Sequence, residues 1–388
     1  MAAPWRGAWF RLGFGWGAAR GAGAALEPEP LREEEEEEEG EAVVRVRPGW
    51  SLVALVTEQG AVELRGLGGG ASLRLPGDCV AALPGEGHVL VAREAALEAR
   101  AVKRGDGAGR RLELELELDP QPRWTRPLAP TEAPRLARRE GRGDGLPLVP
   151  GGFVTPRPPF FHPLPASLCA RRLVLGHEHM LLLDEAGTLF SWGSGRHGQL
   201  GHGDLEDRPE PQAVEALQGV ALKEVAAGGW HSATVSEAGD LYLWGWNESG
   251  QLGLPSKAAS ESQGAARDTD GAGDRAQPQG PPGADFISIQ AFPALLDLPR
   301  GAEALKAGCG SRHTAAVTRT GELYTWGWGQ YGQLGHGDTA SSDRPRRVNH
   351  FVERGLSVVD VTCGLWATFV QVRKPEETQG PIGAEVKH

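Results

Sequence analysis

Cysteine, methionine and tyrosine are scarce in this sequence, and no long apolar run occurs. The cysteines are Cys79, Cys169, Cys309 and Cys363, and no two of them form a C-x-x-C pair. No disulfide framework is expected, and the thiols read as reduced, in an intracellular protein. No stretch is long and apolar enough to span a membrane as a helix. The 56 glycines follow no Gly-X-Y period, which excludes collagen. Glycine-rich pieces such as Gly66–Gly70 lack the Gly-Lys-Ser ending of a phosphate loop. What remains is glycine in quantity and 12 tryptophans: many tight turns and a few large anchors. That combination suits a repetitive all-β fold.

The formal charge is −11, much of it from the run Glu33–Glu39. A protein that coats DNA needs a basic face, so direct sequence-specific DNA binding is not expected. The acidic run reads as a solvated, disordered loop, with contact to a basic partner as the alternative. The first 26 residues hold no acid and carry Arg6, Arg11 and Arg20, which loosely resembles a mitochondrial transit peptide.

Repeats decide the fold. Three segments share one pattern: LGHEHMLLLDEAGTLFSWGSGRHGQLGHGD, AGGWHSATVSEAGDLYLWGWNESGQLGLP and CGSRHTAAVTRTGELYTWGWGQYGQLGHGD. His179, His231 and His313 each precede Trp192, Trp244 and Trp326 by 13 residues. Gly187, Gly239 and Gly321 precede the same tryptophans by 5, and Gly-Gln-Leu-Gly follows each after 6. Within a copy the hydrophobic period is two: Ala233 and Val235 alternate with Thr234 and Ser236, then a glycine turn leads to Leu241 and Leu243. That is a hairpin, with a further strand around Val225. One such sheet cannot bury its own faces, so copies stack radially. Trp192 and Trp244 are 52 residues apart, whereas Trp244 and Trp326 are 82 apart; the excess matches a low-complexity, disordered insertion at 256–285.

The pattern Gly-x-x-His … Trp-Gly … Gly-Gln-Leu-Gly resembles the regulator-of-chromosome-condensation repeat across Leu173–Val348. The resemblance implies a β-propeller of seven blades, with six as the alternative count. A kelch or WD-repeat propeller is the other fold weighed, but no Trp-Asp dipeptide closes these units. The C-terminal VVDVTCGLWATFV starts another copy and stops at Val370, while Ala8–Gly17 resembles LYLWGWNESG. The N-terminal strand is therefore expected to complete the C-terminal blade. Such a clasp removes the exposed edges that seed aggregation, and it competes with the transit-peptide reading.

The resulting division is a closing strand within 1–20, an acidic disordered loop over 21–42, degenerate blades with a Pro/Arg-rich segment over 43–170, regular repeats over 171–370 and a disordered tail over 371–388. In the degenerate part, Trp50–Gly66 keeps the hairpin pattern with Arg65 in the tryptophan slot. His88–Val102 reads as a second hairpin, and Leu112–Leu118 as a half-buried strand. VTPRPPFFHPLP reads as extended or polyproline-like.

Each candidate chemistry dissolves into the repeat. His177, His179, His197, His202, His231, His313 and His336 suggest metal, but no H-E-x-x-H occurs, and His179, His231 and His313 belong to different blades. Equivalent positions imply a structural role. Ser232 follows His231, yet Thr314 and Met180 fill the same slot, so it is not a nucleophile. Trp192, Trp244 and Trp326 read as anchors. Arg196, His197, Asn247, Gln330 and Tyr331 share one inter-strand loop position and are expected to line one face as a partner surface. Trp246 and Trp328, two residues after the anchors, are read first as core packing, with the same partner surface as the alternative. Arg157, Phe160 and Phe161, in the Gly145–Pro165 stretch, are a second candidate, a recognition peptide.

No catalytic residue, metal or cofactor is expected. The resemblance implies a chromatin-associated adaptor in the nucleus and on chromosomes, without enzymatic activity and without membrane attachment. It also implies association with a Jumonji-C-type oxygenase, and through it with histone methylation, centromeric repeat silencing and chromosome segregation. Guanine-nucleotide exchange on a small nuclear GTPase, the founding member's activity, is the alternative.

Overall fold

The computed structural model describes residues 8–13, 25–31, 42–67, 72–104, 116–129, 132, 145–257 and 286–373. Within them, seven antiparallel sheets follow one another around a ring. The strands β1 (Ala8–Gly13) and β2 (Ala25–Pro30) join the last blade. Blade 1 is β3 (Val43–Pro48), β4 (Leu52–Thr57), β5 (Val62–Gly66) and β6 (Ser72–Arg74). Blade 2 is β7 (Cys79–Pro84), β8 (His88–Arg93), β9 (Ala96–Arg104), β10 (Leu116–Leu118) and β11 (Trp124–Pro127), the last two both pairing with β9. Blade 3 is short: β12 (Leu148–Val149), β13 (Gly152–Val154) and β14 (Phe161–Pro163).

Blades 4 to 6 are the three regular copies. Blade 4 is β15 (Ala170–Leu175), β16 (His179–Asp184), β17 (Leu189–Gly193) and β18 (Arg208–Ala213). Blade 5 is β19 (Leu222–Ala227), β20 (His231–Ser236), β21 (Leu241–Trp246) and β22 (Ile289–Leu296). Blade 6 is β23 (Ala304–Cys309), β24 (His313–Thr318), β25 (Leu323–Gly327) and β26 (Ser342–Arg347). A one-turn helix, α1 (Asn349–Glu353), leads into β27 (Ser357–Cys363) and β28 (Ala367–Arg373) of blade 7, whose order is β2-β1-β28-β27. The propeller, its seven blades and the N-terminal closing strand are as the sequence implied.

The core lies between blades. Every residue of β4, β20 and β24 is buried, because both sheet faces meet a neighbouring blade. The small side chains Ala233, Ala315 and Ala316 suit that double coverage. Between blades 5 and 6, Val235, Leu241, Leu243 and Leu252 pack with Ala307, Ala316, Tyr324 and Trp326. Between blades 6 and 7, Leu12 packs with Val317, Leu323, Val361 and Val370. Each buried valine or leucine among them contributes roughly 1.5–3 kcal/mol by leaving water.

The clasp register differs by one residue from the similarity between Ala8–Gly17 and LYLWGWNESG. Gly13 pairs with Ala367, as Gly245 pairs with His231 and Gly327 with His313. Leu12 therefore fills the slot of Trp244 and Trp326. A slip of one would turn every side chain to the other face. With Leu12 fully buried and Gly13 at φ +94, the observed register is the one that hides the apolar residue.

Other expectations are corrected. The segment 21–42 is not all loop, since Ala25–Pro30 pairs with β1 as the outer strand of blade 7. The stretch VTPRPPFFHPLP is not a free peptide, since Gly152–Val154 and Phe161–Pro163 are paired strands of blade 3. Ser256, the expected start of the insertion, is buried, and its N–H donates to Asp343 at 3.0 Å. The tail expected from 371 starts later, since β28 runs to Arg373. The rest of the insertion from 258, the Glu33–Glu39 run and residues after 373 lie outside the described residues.

Candidate functional site

The repeat histidines form inter-blade staples. His179 Nε2 lies 2.9 Å from Ser232 Oγ of the next blade, and that hydroxyl donates to the Gln199 carbonyl at 2.8 Å. His231 meets Thr314 at 2.9 Å, and Thr314 donates to the Gln251 carbonyl at 2.6 Å. His313 meets Thr368 at 2.9 Å, and Thr368 donates to the Gln333 carbonyl at 2.9 Å. The hydroxyl proton is spent on the carbonyl, so each imidazole Nε2 must be the donor. Each Nδ1 is then a buried acceptor with no hydrogen-bond partner among the described residues. Burial pushes the pKa down to about 3 for His179 and His231 and to about 4 for His313.

The tryptophans complete the staples. Trp244 Nε1 donates to the Gln199 carbonyl at 2.9 Å, and Trp326 Nε1 to that of Gln251 at 3.0 Å. A Cβ at Gly201 would lie 2.8 Å from the Trp244 indole, which explains the second glycine of Gly-Gln-Leu-Gly. A Cβ at Gly310 would lie 2.1 Å from the His313 ring, which explains the glycine three residues before the histidine. Trp192 instead packs against Phe153 of blade 3, at 6.1 Å between ring centres. His202 and His336 are held too, at 2.9 Å from Ser191 Oγ and 3.0 Å from Thr325 Oγ1. Among the described residues no group of three or more His, Cys, Asp or Glu is placed to hold a metal. Burial raises the Cys309 thiol well above its ordinary value. Among the described residues no helix is long and apolar enough to cross a membrane.

One face of the ring carries the turns after the first strand of each blade and the loops after the third. Its centre opens into a mouth of about 580 Å³. Below the mouth, the channel narrows to about 160 Å³ between Pro48, Pro84, Pro156, Leu175 and Cys309. Backbone bonds tie the turns together: His177 N–H donates to the Gly228 carbonyl at 3.0 Å, and Gly229 N–H to that of Gly310 at 2.9 Å. Between blades 3 and 4 a side chain makes the link. Arg157, flanked by prolines that have no N–H, donates to the carbonyls of Gly176 at 3.2 Å and His177 at 3.0 Å.

On this face aromatic rings run from blade to blade. Trp50 of blade 1 reaches across the mouth to His177 of blade 4, at 5.9 Å between ring centres, and His177 meets Trp230 at 5.1 Å. Trp230 meets Trp246 at 5.4 Å, edge to face, and His197 touches both. Arg312 lies over Trp246, 4.6 Å from the ring centre. Trp328, Tyr331 and Trp366 make a second cluster, with centres 4.9–5.8 Å apart. A rule underlies both clusters: a loop residue of one blade meets the residue before the repeat-histidine slot of the next. The pairs are His197 with Trp230, Trp246 with Arg312, and Trp328 with Trp366. Arg196 donates to Glu178 at 2.7 Å, and Trp230 Nε1 to the same carboxylate at 3.3 Å. Burial pushes the Glu178 carboxyl up, but these bonds and the charge of Arg196 outweigh it and hold it below its ordinary value.

Arg196, His197, Trp246, Trp328 and Tyr331 thus share one face, and Arg157 joins them at the mouth. Three expected contact residues do not. Asn247 is fully buried: its amide donates to the carbonyls of Leu254 and Ile287 and accepts from Leu252 N–H, which fixes the loop. Phe160 is core, at φ +62, between His88 and Trp124. Phe161 is half-buried beneath Arg126, 5.1 Å from its ring centre. Sequence reasoning missed Trp50, His177, Glu178, Trp230, Arg312 and Trp366. Their shared signal, for four of them, is the slot just before His179, His231, His313 and Ala367.

Seven blades of three to five strands, the last four joined through Gly-x-x-His and Gly-Gln-Leu-Gly segments, define a propeller protein of one repeat class. The chain matches the Regulator of chromosome condensation (RCC1) repeat over residues 186–235, 238–317 and 320–371 and belongs to that family. It is 50% identical to the RCC1 domain-containing protein 1 of Homo sapiens over 342 residues, 84% of this chain and 87% of that one. Its identity to the RCC1 domain-containing protein 1 of Mus musculus is 46% over 394 residues, 97% of this chain and 100% of that one. The fold is also that of yeast RCC1 (Prp20), solved with Kap60: TM-score 0.65 at 16% identity, covering 97% of this chain and 90% of that one.

Proposed function

We propose that this chain is a non-enzymatic, chromatin-associated scaffold in the nucleus that docks protein partners on the aromatic face around the channel mouth. The observation that carries the reading is the run of half-exposed rings, Trp50, His177, Trp230, Trp246, Trp328 and Trp366, along one face. Indoles at such positions supply large contact area at small entropic cost and are over-represented at binding hot spots. The commitment of His179, His231 and His313 to the staples supports a non-enzymatic role. The partner inferred from family resemblance is a Jumonji-C-type oxygenase, whose iron and 2-oxoglutarate belong to it, with roles in histone methylation control, centromeric repeat silencing and chromosome segregation. Histones are a further candidate, since Prp20p of Saccharomyces cerevisiae has been studied for binding to Gsp1p and histones.

The test is affinity capture from nuclear extract with the full chain and with Trp230→Ala plus Trp328→Ala. A chromatin factor retained by the first and lost by the second, with unchanged thermal unfolding, supports the reading. Capture indifferent to both substitutions refutes the face. The likeness to Prp20p also favours a second reading, guanine-nucleotide exchange. Release of a labelled guanine nucleotide from a small nuclear GTPase, accelerated by this chain, would replace the scaffold reading.

A further inference from the structure

Blade 6 places on this face a guanidinium that no carboxylate answers. Arg196 is paired with Glu178, and Arg157 is spent on two carbonyls. Arg312, half-buried, lies over the Trp246 ring and makes no ion pair or side-chain hydrogen bond among the described residues. Glu248, exposed in the adjoining loop of blade 5, makes no ion pair with it. The contact with Trp246 holds the guanidinium over the indole, and among the described residues its five N–H donors make no hydrogen bond. The flanking surface is apolar on one side: Trp246 meets Trp230 edge to face.

We propose that Arg312, held over Trp246, is a receptor for one carboxylate, an Asp or Glu side chain on an exposed partner segment whose apolar neighbours seat on Trp230 and Trp246. This inference rests on the reading of the face as a docking surface and names the partner's chemistry. A carboxylate matches the guanidinium fork in a bidentate pair, and an arginine already held over a ring loses little freedom on forming it. The indole wall lowers the local dielectric once a partner covers it, which strengthens the pair. One unanswered cation suits one carboxylate. A phosphodiester chain needs a row of cations, whereas the neighbouring Arg196 is already paired with Glu178.

The experiment pans a phage-displayed library of random dodecapeptides against the full chain. Selected peptides are then measured by fluorescence anisotropy against the full chain and against R312Q, R312K, W230A and W246A. Thermal unfolding of each variant serves as the folding control. The expected result is enrichment of Asp or Glu beside aromatic or aliphatic residues. Affinity should fall about tenfold or more in R312Q and be restored only in part by R312K. Peptides sensitive to W230A but free of acids, or indifferent to R312Q, overturn the carboxylate receptor and leave the face standing. Peptides indifferent to W230A and W246A as well, or no binders above the R312Q background, overturn both.

Discussion

His231 Nε2 and Thr314 Oγ1 meet 2.9 Å apart across the seam between blades 5 and 6, although they are 83 residues apart in sequence. The same contact recurs at the seams between blades 4 and 5 and between blades 6 and 7, with Ser232 and Thr368 as the hydroxyl partners. The repeat motif is therefore legible as a bond between neighbours, and each half of the motif is meaningless within a single blade.

Removing one staple should destabilise the whole ring. His231→Ala leaves a cavity and takes away the donor to Thr314, at a cost of about 2–4 kcal/mol. Thr314→Val removes the hydroxyl that links His231 to the Gln251 carbonyl. In a double-mutant cycle by urea unfolding, the two should couple by about 1 kcal/mol or more. Strict additivity would show that the pair is incidental.

Acid should loosen the seams before it protonates most carboxylates. The ordinary histidine value is 6.5, and burial lowers it to about 3 in His179 and His231 and about 4 in His313. Between those values the unfolded chain binds more protons than the fold, so stability is complete above the ordinary value and declines as pH falls below it. If the three sites titrate together the slope approaches roughly 4 kcal/mol per pH unit. His231→Asn should reduce that slope by about 1.4 kcal/mol per pH unit between pH 6 and 4.5, read from denaturant midpoints at each pH. An unaltered slope would contradict the neutral staple.

The clasp should depend on Leu12 and Gly13. Leu12→Ala should cost about 2–5 kcal/mol, since the side chain is fully buried between blades 6 and 7. Gly13→Ala should be at least as harmful. The glycine sits at φ +94, and an added Cβ would lie 2.8 Å from the Gln333 Cα. Deleting residues 1–20 should lower the thermal midpoint and promote association through the uncovered edge of β28. A truncated chain that unfolds at the original temperature would remove the clasp.

Arg157 should matter for stability more than its exposure suggests. Arg157→Ala leaves the Gly176 and His177 carbonyls without their bridge from blade 3, for about 1–2 kcal/mol. Arg157→Lys should not restore it, because an ammonium cannot reach two carbonyls as a planar fork. Chemical denaturation of both variants decides the point.

The sequence displayed blades 4 to 6 because glycine, histidine and tryptophan each answer a steric or hydrogen-bonding need that recurs. It displayed the Trp50–Gly66 hairpin with Arg65 in the tryptophan slot, and Arg65 does pair opposite Val53 there. Blade 3 was hidden, since its strands are two or three residues long and its turn is built of prolines. The one-residue offset of the clasp was hidden because Arg11 and Leu12 are equally unlike tryptophan, and burial between blades chooses Leu12. The face was half visible. Its loops stood out through Trp246 and Trp328, but the turn residues that meet them vary in kind, from Glu178 to Trp230, Arg312 and Trp366. Asn247 misled because its amide serves the loop backbone from inside.

The split seventh blade also sets an order of assembly. The strand β1 is synthesised before every other strand of the ring, and β28, its partner, after all of them. Until β28 emerges, β1 has only β2 to pair with and no blade 7 to complete, and blades 1 to 6 form an open arc. Cotranslational folding of this protein therefore finishes with a single late docking event, and during that wait the nascent arc is the species a chaperone would recognise.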